Sequence, residues 1–153
     1  MAQGTITIFN QFKEDLGDSI HDFIGTPNTI KLAFTSTAVG SLAASDPAPH
    51  FGGTGTTDLS STQVTGGDIS AGGKSLSTIT WSETSGTVTF NCDDVSVAVN
   101  ASNPITAKTA IIYNDTDTNK RAIGFMDLTA DGTTAVDLTN GATIAFSSGI
   151  LTY

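Results

Sequence analysis

Residues 29–37 read TIKLAFTST, where Ile30, Leu32 and Phe34 alternate with Lys31, Ala33 and Thr35. Side chains two apart share one side of a strand, so this pattern predicts a strand with one buried face. The period of two returns through the second half of the chain. In Ser75 to Glu83 (SLSTITWSE), Leu76, Thr78 and Thr80 oppose Ser77, Ile79 and Trp81. Thr87 to Asn91 follows a Ser85-Gly86 turn and sets Val88 and Phe90 on one face. Val95, Val97 and Val99 alternate after Asp93-Asp94. Ala107 to Tyr113 (AKTAIIY) and Arg121 to Leu128 (RAIGFMDL) flank a polar stretch, Asn114 to Lys120, which suits a hairpin loop. Thr134 to Leu138, Thr143 to Ser147 and Ile150 to Tyr153 close the chain, with Asp131-Gly132, Asn140-Gly141 and Ser148-Gly149 as turns. About eight or nine short strands at even spacing predict a mainly β fold, an antiparallel sandwich or jelly roll, in one domain over 1–153.

Upstream of the strand at 29–37 the period changes. Ile6, Phe9, Phe12, Leu16 and Ile20 recur at spacings of three and four, while Asn10, Lys13, Glu14, Asp15 and Asp18 fill the other side. The pattern predicts one short N-terminal helix within segment 1–24, with Gly17 available as a left-handed end. The alternative is a strand over Thr5 to Phe9 followed by a helix that begins at Asn10 as its cap. Downstream lies the least regular part, 38–73, which holds eight of the sixteen glycines and two of the four prolines. A run this long with little apolar content reads as a loop or a partner-binding arm, interrupted at most by a brief strand near Leu59 to Thr65.

Composition supports the strands and narrows the function. Thr, Ser and Gly make up 57 of 153 residues, and only 14% are charged. Thr suits a half-exposed pleated surface. Thirteen of the 15 acids are Asp, a turn and cap residue rather than a helix former. Six cations against 15 acids leave a net charge of -9, which excludes the clustered basic surface that nucleic acid binding requires. Cys92 is the only cysteine, so neither an intrachain disulfide nor a Cys-based zinc site is expected. Met1 to Asn10 lacks the features of a cleaved signal, and no apolar run is long enough to span a membrane. Synthesis in a cytoplasm is the expectation.

No catalytic, metal or cofactor site is expected. Asp115-Thr-Asp-Thr-Asn119 opens like a calcium loop, but Lys120 and Met126 stand where the turn glycine and the closing Glu belong. A solvated hairpin loop is the expected reading, with weak cation binding as the other. His21 and His50 are the only candidate bases, and proximity to some Ser or Thr carries no information in so hydroxyl-rich a chain. The candidate partner-contact residues are instead apolar. Phe51 leads, with its neighbours Pro49 and His50, because it stands alone in a Gly/Pro loop; tucking over its own sheet is the competing reading. Trp81 and Tyr153 follow, as do Phe9 and Phe12 if the helix docks on a neighbour rather than on its own sheet.

Several segments resemble a family of small structural proteins of tailed bacteriophages. These are GTITIFNQFKEDLG from Gly4 to Gly17, then His21-Asp22-Phe23, Ile30 to Phe34, Gly72-Gly73, Ala110 to Thr116, Ala122 to Asp127, and the closing Asp131-Gly132 to Leu151. The match is diffuse over most of the chain, and 38–73 aligns least well. The resemblance implies a non-enzymatic virion component with no cofactor and no small-molecule substrate. A cement or decoration protein on the capsid exterior is the favoured role, with the major capsid protein and further copies of itself, most simply as a homotrimer, as partners. A tail or head-to-tail component and a carbohydrate-binding β-sandwich are the alternatives. The charge of -9 also disfavours a place against packaged DNA.

Overall fold

A computed structural model describes residues 3–24, 27–146 and 149–152. The first alternating stretch forms β2 (Ile30–Thr35), near the centre of a five-stranded antiparallel sheet. Its other strands are β1 (Ile6–Ile8), β5 (Lys74–Ser75), β9 (Thr109–Asn114) and β10 (Ala122–Asp127), in the order β1-β10-β9-β2-β5. The expected 114–120 hairpin joins β9 to β10, and a bulge between Ala122 and Gly124 shifts their register. Every residue of β9 and β10 is buried. That is the signature of strands covered on both faces.

One face packs against a second layer. This layer contains β6 (Thr80–Thr84), β7 (Thr87–Asn91) and β12 (Leu151–Thr152), paired as β12-β7-β6. Beside them β8 (Val95–Val97) pairs with β11 (Ala142–Ile144). Ile30, Leu32, Phe34 and Ile112 of the main sheet share one apolar cluster with Phe90, Val95, Val97 and Phe146. The fold is therefore mainly β with several antiparallel sheets, an arrangement compatible with a sandwich.

The opposite face overturns two expectations. Ala33, Ile111, Tyr113 and Phe125 point that way and are covered by Phe9, Val39, Phe51 and Leu59. Thus β2 has two buried faces rather than one, and 38–73 is a cover rather than an arm. The segment contains two single 3-10 turns, Val39–Ser41 and Ser60–Thr62, and a short parallel pair, β3 (Pro49–His50) with β4 (Thr57–Asp58). Backbone hydrogen bonds tie it down: Phe51 N–H to Lys120 C=O at 2.9 Å, and Val64 N–H to Phe34 C=O at 2.9 Å. No strand spans 59–65; Gln63 makes only an isolated bridge to Thr35. The glycines permit close passage rather than flexibility. A Cβ on Gly73, where φ is +78°, would lie 2.1 Å from Leu32 O.

The N-terminus follows the alternative reading. Ile6–Ile8 is a strand paired to β10, and α1 (Asn10–Gly17) is a two-turn helix. Its N-cap is Phe9, so Asn10 lies inside the helix and does not cap it. Gly17 does not take the left-handed position; Ser19 does, with φ 57°. Ser19 N–H bonds Leu16 C=O and Ile20 N–H bonds Asp15 C=O, the double closure of a Schellman end. Left-handed backbone strains a residue bearing Cβ. Ser19→Gly should therefore stabilise the protein by about 0.5–1 kcal/mol, a rise of about 2–3 °C in Tm by calorimetry. A lowered Tm would count against the strain.

Two later expectations also change. Ser75 to Glu83 is not one strand: Thr78 has φ 51°, and the chain crosses there from the main sheet to the second layer. Leu76 and Ile79 pack inward at the crossing. Thr134 to Leu138 is not a strand either, with Val136 making only an isolated bridge to Ala107. The flanking Asp131 and Asp137 accept bonds from their own turns, Asp131 from Thr133 N–H at 2.8 Å and Thr134 N–H at 2.7 Å. These bonds and one from the Thr134 hydroxyl hold the Asp131 carboxyl well below its usual range.

Candidate functional site

Most of the residues expected at a partner surface are inside the protein. Phe9 and Phe12 are fully buried, and Phe51 is 3% exposed with its ring stacked on Tyr113 at 4.7 Å. Pro49 is buried, and so is His50, whose Nδ1 accepts from Gly53 N–H at 3.2 Å. All five lie inside this chain: Phe9 and Phe51 in the apolar cluster on one face of the main sheet, Phe12 in the cluster on the other, and Pro49 and His50 in the buried strand β3. Trp81 is half-buried at the rim, stacked on Phe23 at 5.3 Å. Tyr153 lies outside the described residues.

The structure gathers a polar cluster that residue spacing does not indicate. Asp15, on the inner side of α1, is fully buried. Its Oδ1 accepts from Arg121 Nη1 and, at 3.2 Å, from Gln11 Nε2, while its Oδ2 lies 3.5 Å from His21 Nε2. Asn114 closes the other side: its Nδ2 donates to Ile20 C=O at 3.1 Å and to Asn28 Oδ1 at 2.8 Å, and lies 3.3 Å from His21 Nδ1. Its Oδ1 accepts from Thr116 and Asp117 N–H. The cluster therefore fastens the helix, the 20–28 loop and the 114–121 hairpin together. The helical period places Asp15 on the polar side of the helix, yet it is fully buried. Its charged partner is the distant Arg121, which the helical period does not reveal, while Gln11 and His21 lie nearer in the chain.

At the centre of this arrangement the Asp15 Oδ2 and His21 Nε2 pair is closed off from solvent. Both nitrogens of His21 face the Asp15–Asn114 cluster, and its side chain has no exposed surface. Burial pushes the imidazole pKa down from 6.5, against Asp15, which pulls it up. Above the unfolded value of 6.5 His21 is neutral in both states, and its contribution to stability is complete. As pH falls from 6.5 toward the lowered folded value, the unfolded chain binds the proton first and stability is lost. The urea midpoint should drop between pH 7.5 and 5, before carboxylates protonate, and His21→Gln should flatten that drop. An unchanged midpoint in the parent protein would contradict the assignment.

Other chemistry-bearing groups are similarly engaged. In the loop that resembles a calcium site, Asp115 Oδ2 pairs with Lys31 Nζ at 2.8 Å and Oδ1 with Lys120 Nζ. Asp117 Oδ2 accepts from the Arg121 backbone N–H at 3.2 Å and lies 3.9 Å from its guanidinium Nε. These carboxylates thus face the chain's own cations. The Asp93-Asp94 pair is divided as well: Asp94 Oδ1 accepts from Phe146 N–H at 2.9 Å, and Asp93 Oδ2 from the Thr78 hydroxyl. Among the described residues, no group of three His, Cys, Asp or Glu side chains converges as metal ligands would. Burial, with Asp93 and Asp94 beside it, pushes the Cys92 thiol up to about 12. Native protein should therefore resist Ellman's reagent at pH 8 and react fully after denaturation. Rapid native labelling would show the thiol to be accessible.

A shallow groove of about 320 Å³ borders the His21 cluster, lined by Leu16, His21, Asp22, Phe23, Ile24 and Trp81. Ile24 is 62% exposed there. No helix among the described residues is long and apolar enough to cross a membrane. No family model, curated protein or solved structure matches the chain.

Proposed function

We propose that this chain is a non-enzymatic structural subunit of a tailed-bacteriophage particle, a cement protein that binds the outer head surface and adds contacts between capsomers. The reading draws on the segment resemblance. The observation that carries it is the division of residue types between interior and surface. The buried His, Asp and Asn cluster binds loops to one another, while the β6–β7 hairpin presents a hydroxyl-rich surface on which Glu83 is the one charged residue. Thr80, Ser82, Thr84 and Thr87 are all exposed there. Neutral hydroxyl surface loses less on burial against a neighbour than charged surface does, provided its hydrogen bonds are remade. A net charge of -9 favours the outside of a DNA-filled shell over the inside.

The buried cover at 38–73 removes the arm from this mechanism, so docking falls to the sheet edges and the hydroxyl face. Purified heads with and without the protein provide the test. Its loss should lower the temperature at which heads release DNA, and density in intact particles should place it over the shell. Copies confined to the tail or a vertex would transfer the proposal to a tail or head-to-tail part. Unchanged head stability after verified loss would sink the cement role.

A further inference from the structure

The structure assigns a self-association surface to the outer edge of β6, where a second copy of this chain adds its own β6 antiparallel to the first. Among the described residues β6 pairs only with β7, leaving its other edge without a partner strand. Free edges invite pairing, and proteins that remain monomeric protect them with Lys, Pro, bulges or cover. Thr80-Trp-Ser-Glu-Thr84 has no Lys or Pro, its register with β7 runs without a bulge, and its one charge is the exposed Glu83.

The occupant follows from complementarity. In a twofold pairing centred on Ser82, Thr80 faces Thr84 of the second copy and Trp81 faces Glu83. No charged residue then stands directly opposite a like charge, and hydroxyls meet hydroxyls on the outer side. A twofold axis perpendicular to the sheet keeps both inner faces on one side. The rim Trp81 and exposed Ile24 of each copy would then meet, closing two grooves into one seam with an apolar centre and Glu83 and Asp22 at its margins. One geometry thus accounts for the unpaired edge, the exposed isoleucine and the open groove. Such an isologous contact closes at two copies, unlike the expected trimer. It does not depend on the head-surface reading, and either can fail alone.

Sedimentation of the full chain tests it. A small interface of this kind predicts a dimer with Kd on the order of 10 µM. Added salt should strengthen it by screening the like net charges. Ser82→Lys sets two cations face to face and should weaken the dimer at least tenfold, although it reduces each copy's net negative charge. Ile24→Ser should weaken it too. Both side chains are exposed, so circular dichroism and Tm should stay at the parent values. Ser82→Cys should form an intermolecular disulfide on mild oxidation, since Cys92 is buried. A parent chain that stays monomeric to about 1 mM overturns the assignment. So does a dimer that neither responds to Ser82→Lys nor cross-links through position 82.

Discussion

Phe51→Ala is expected to remove about 3–4 kcal/mol of folding stability, and so to lower Tm by about 10 °C. The ring is 3% exposed and lies against Tyr113, in the apolar cluster formed by the main sheet and the 38–73 cover. Removing it leaves a cavity where few other apolar side chains of the cover reach the sheet. Val39 and Leu59 are its fellow buried anchors, with Leu42 partly buried beside them. Without Phe51 the cover should loosen as a unit, and hydrogen exchange should rise at the Phe51 and Leu59 amides, which bond Lys120 and His50 carbonyls. Urea denaturation decides the matter. A variant with parent stability but impaired association would return Phe51 to a partner surface. Deleting 46–53 should likewise unfold the protein, so lost head binding by that deletion would carry no information about docking.

Arg121→Met should cost about 3 kcal/mol, because it strands the Asp15 carboxylate in the interior. Asp15 has no exposure, and Arg121 is the only Lys or Arg paired with it among the described residues. The ion pair itself need not add much net stability, since moving both charges out of water offsets most of their attraction. The loss comes from leaving one charge alone. Asp15→Asn in the same background should therefore recover part of it, making the double variant more stable than Arg121→Met. Strict additivity in denaturant titrations would show that the two groups do not communicate.

These two sites mark where residue patterns inform and where they do not. The alternation in TIKLAFTST, the strands at 87–91 and 95–97 and the 107–128 hairpin follow from side-chain period, a property of neighbouring residues. The strand-then-helix start at 6–17 was visible as one of two readings, because Ile6, Phe9, Phe12 and Leu16 fit either. Ser19 as the left-handed end is not legible from the pattern, since Gly17 two residues earlier offers the easier left-handed residue. Burial of Asp15 depends on an arginine 106 positions away.

By itself, then, the sequence determined a strand-rich, acidic chain with Asp and Gly turns and a net charge of -9. Those properties are local or additive, so composition and period suffice. The tertiary structure alone decided that 38–73 covers a sheet, that the candidate contact phenylalanines are core, and that β6 is among the strands with an unpaired edge. Each depends on which surfaces meet across long stretches of chain. A segment with only a few apolar residues becomes part of a core when a sheet already presents the other half of the contact.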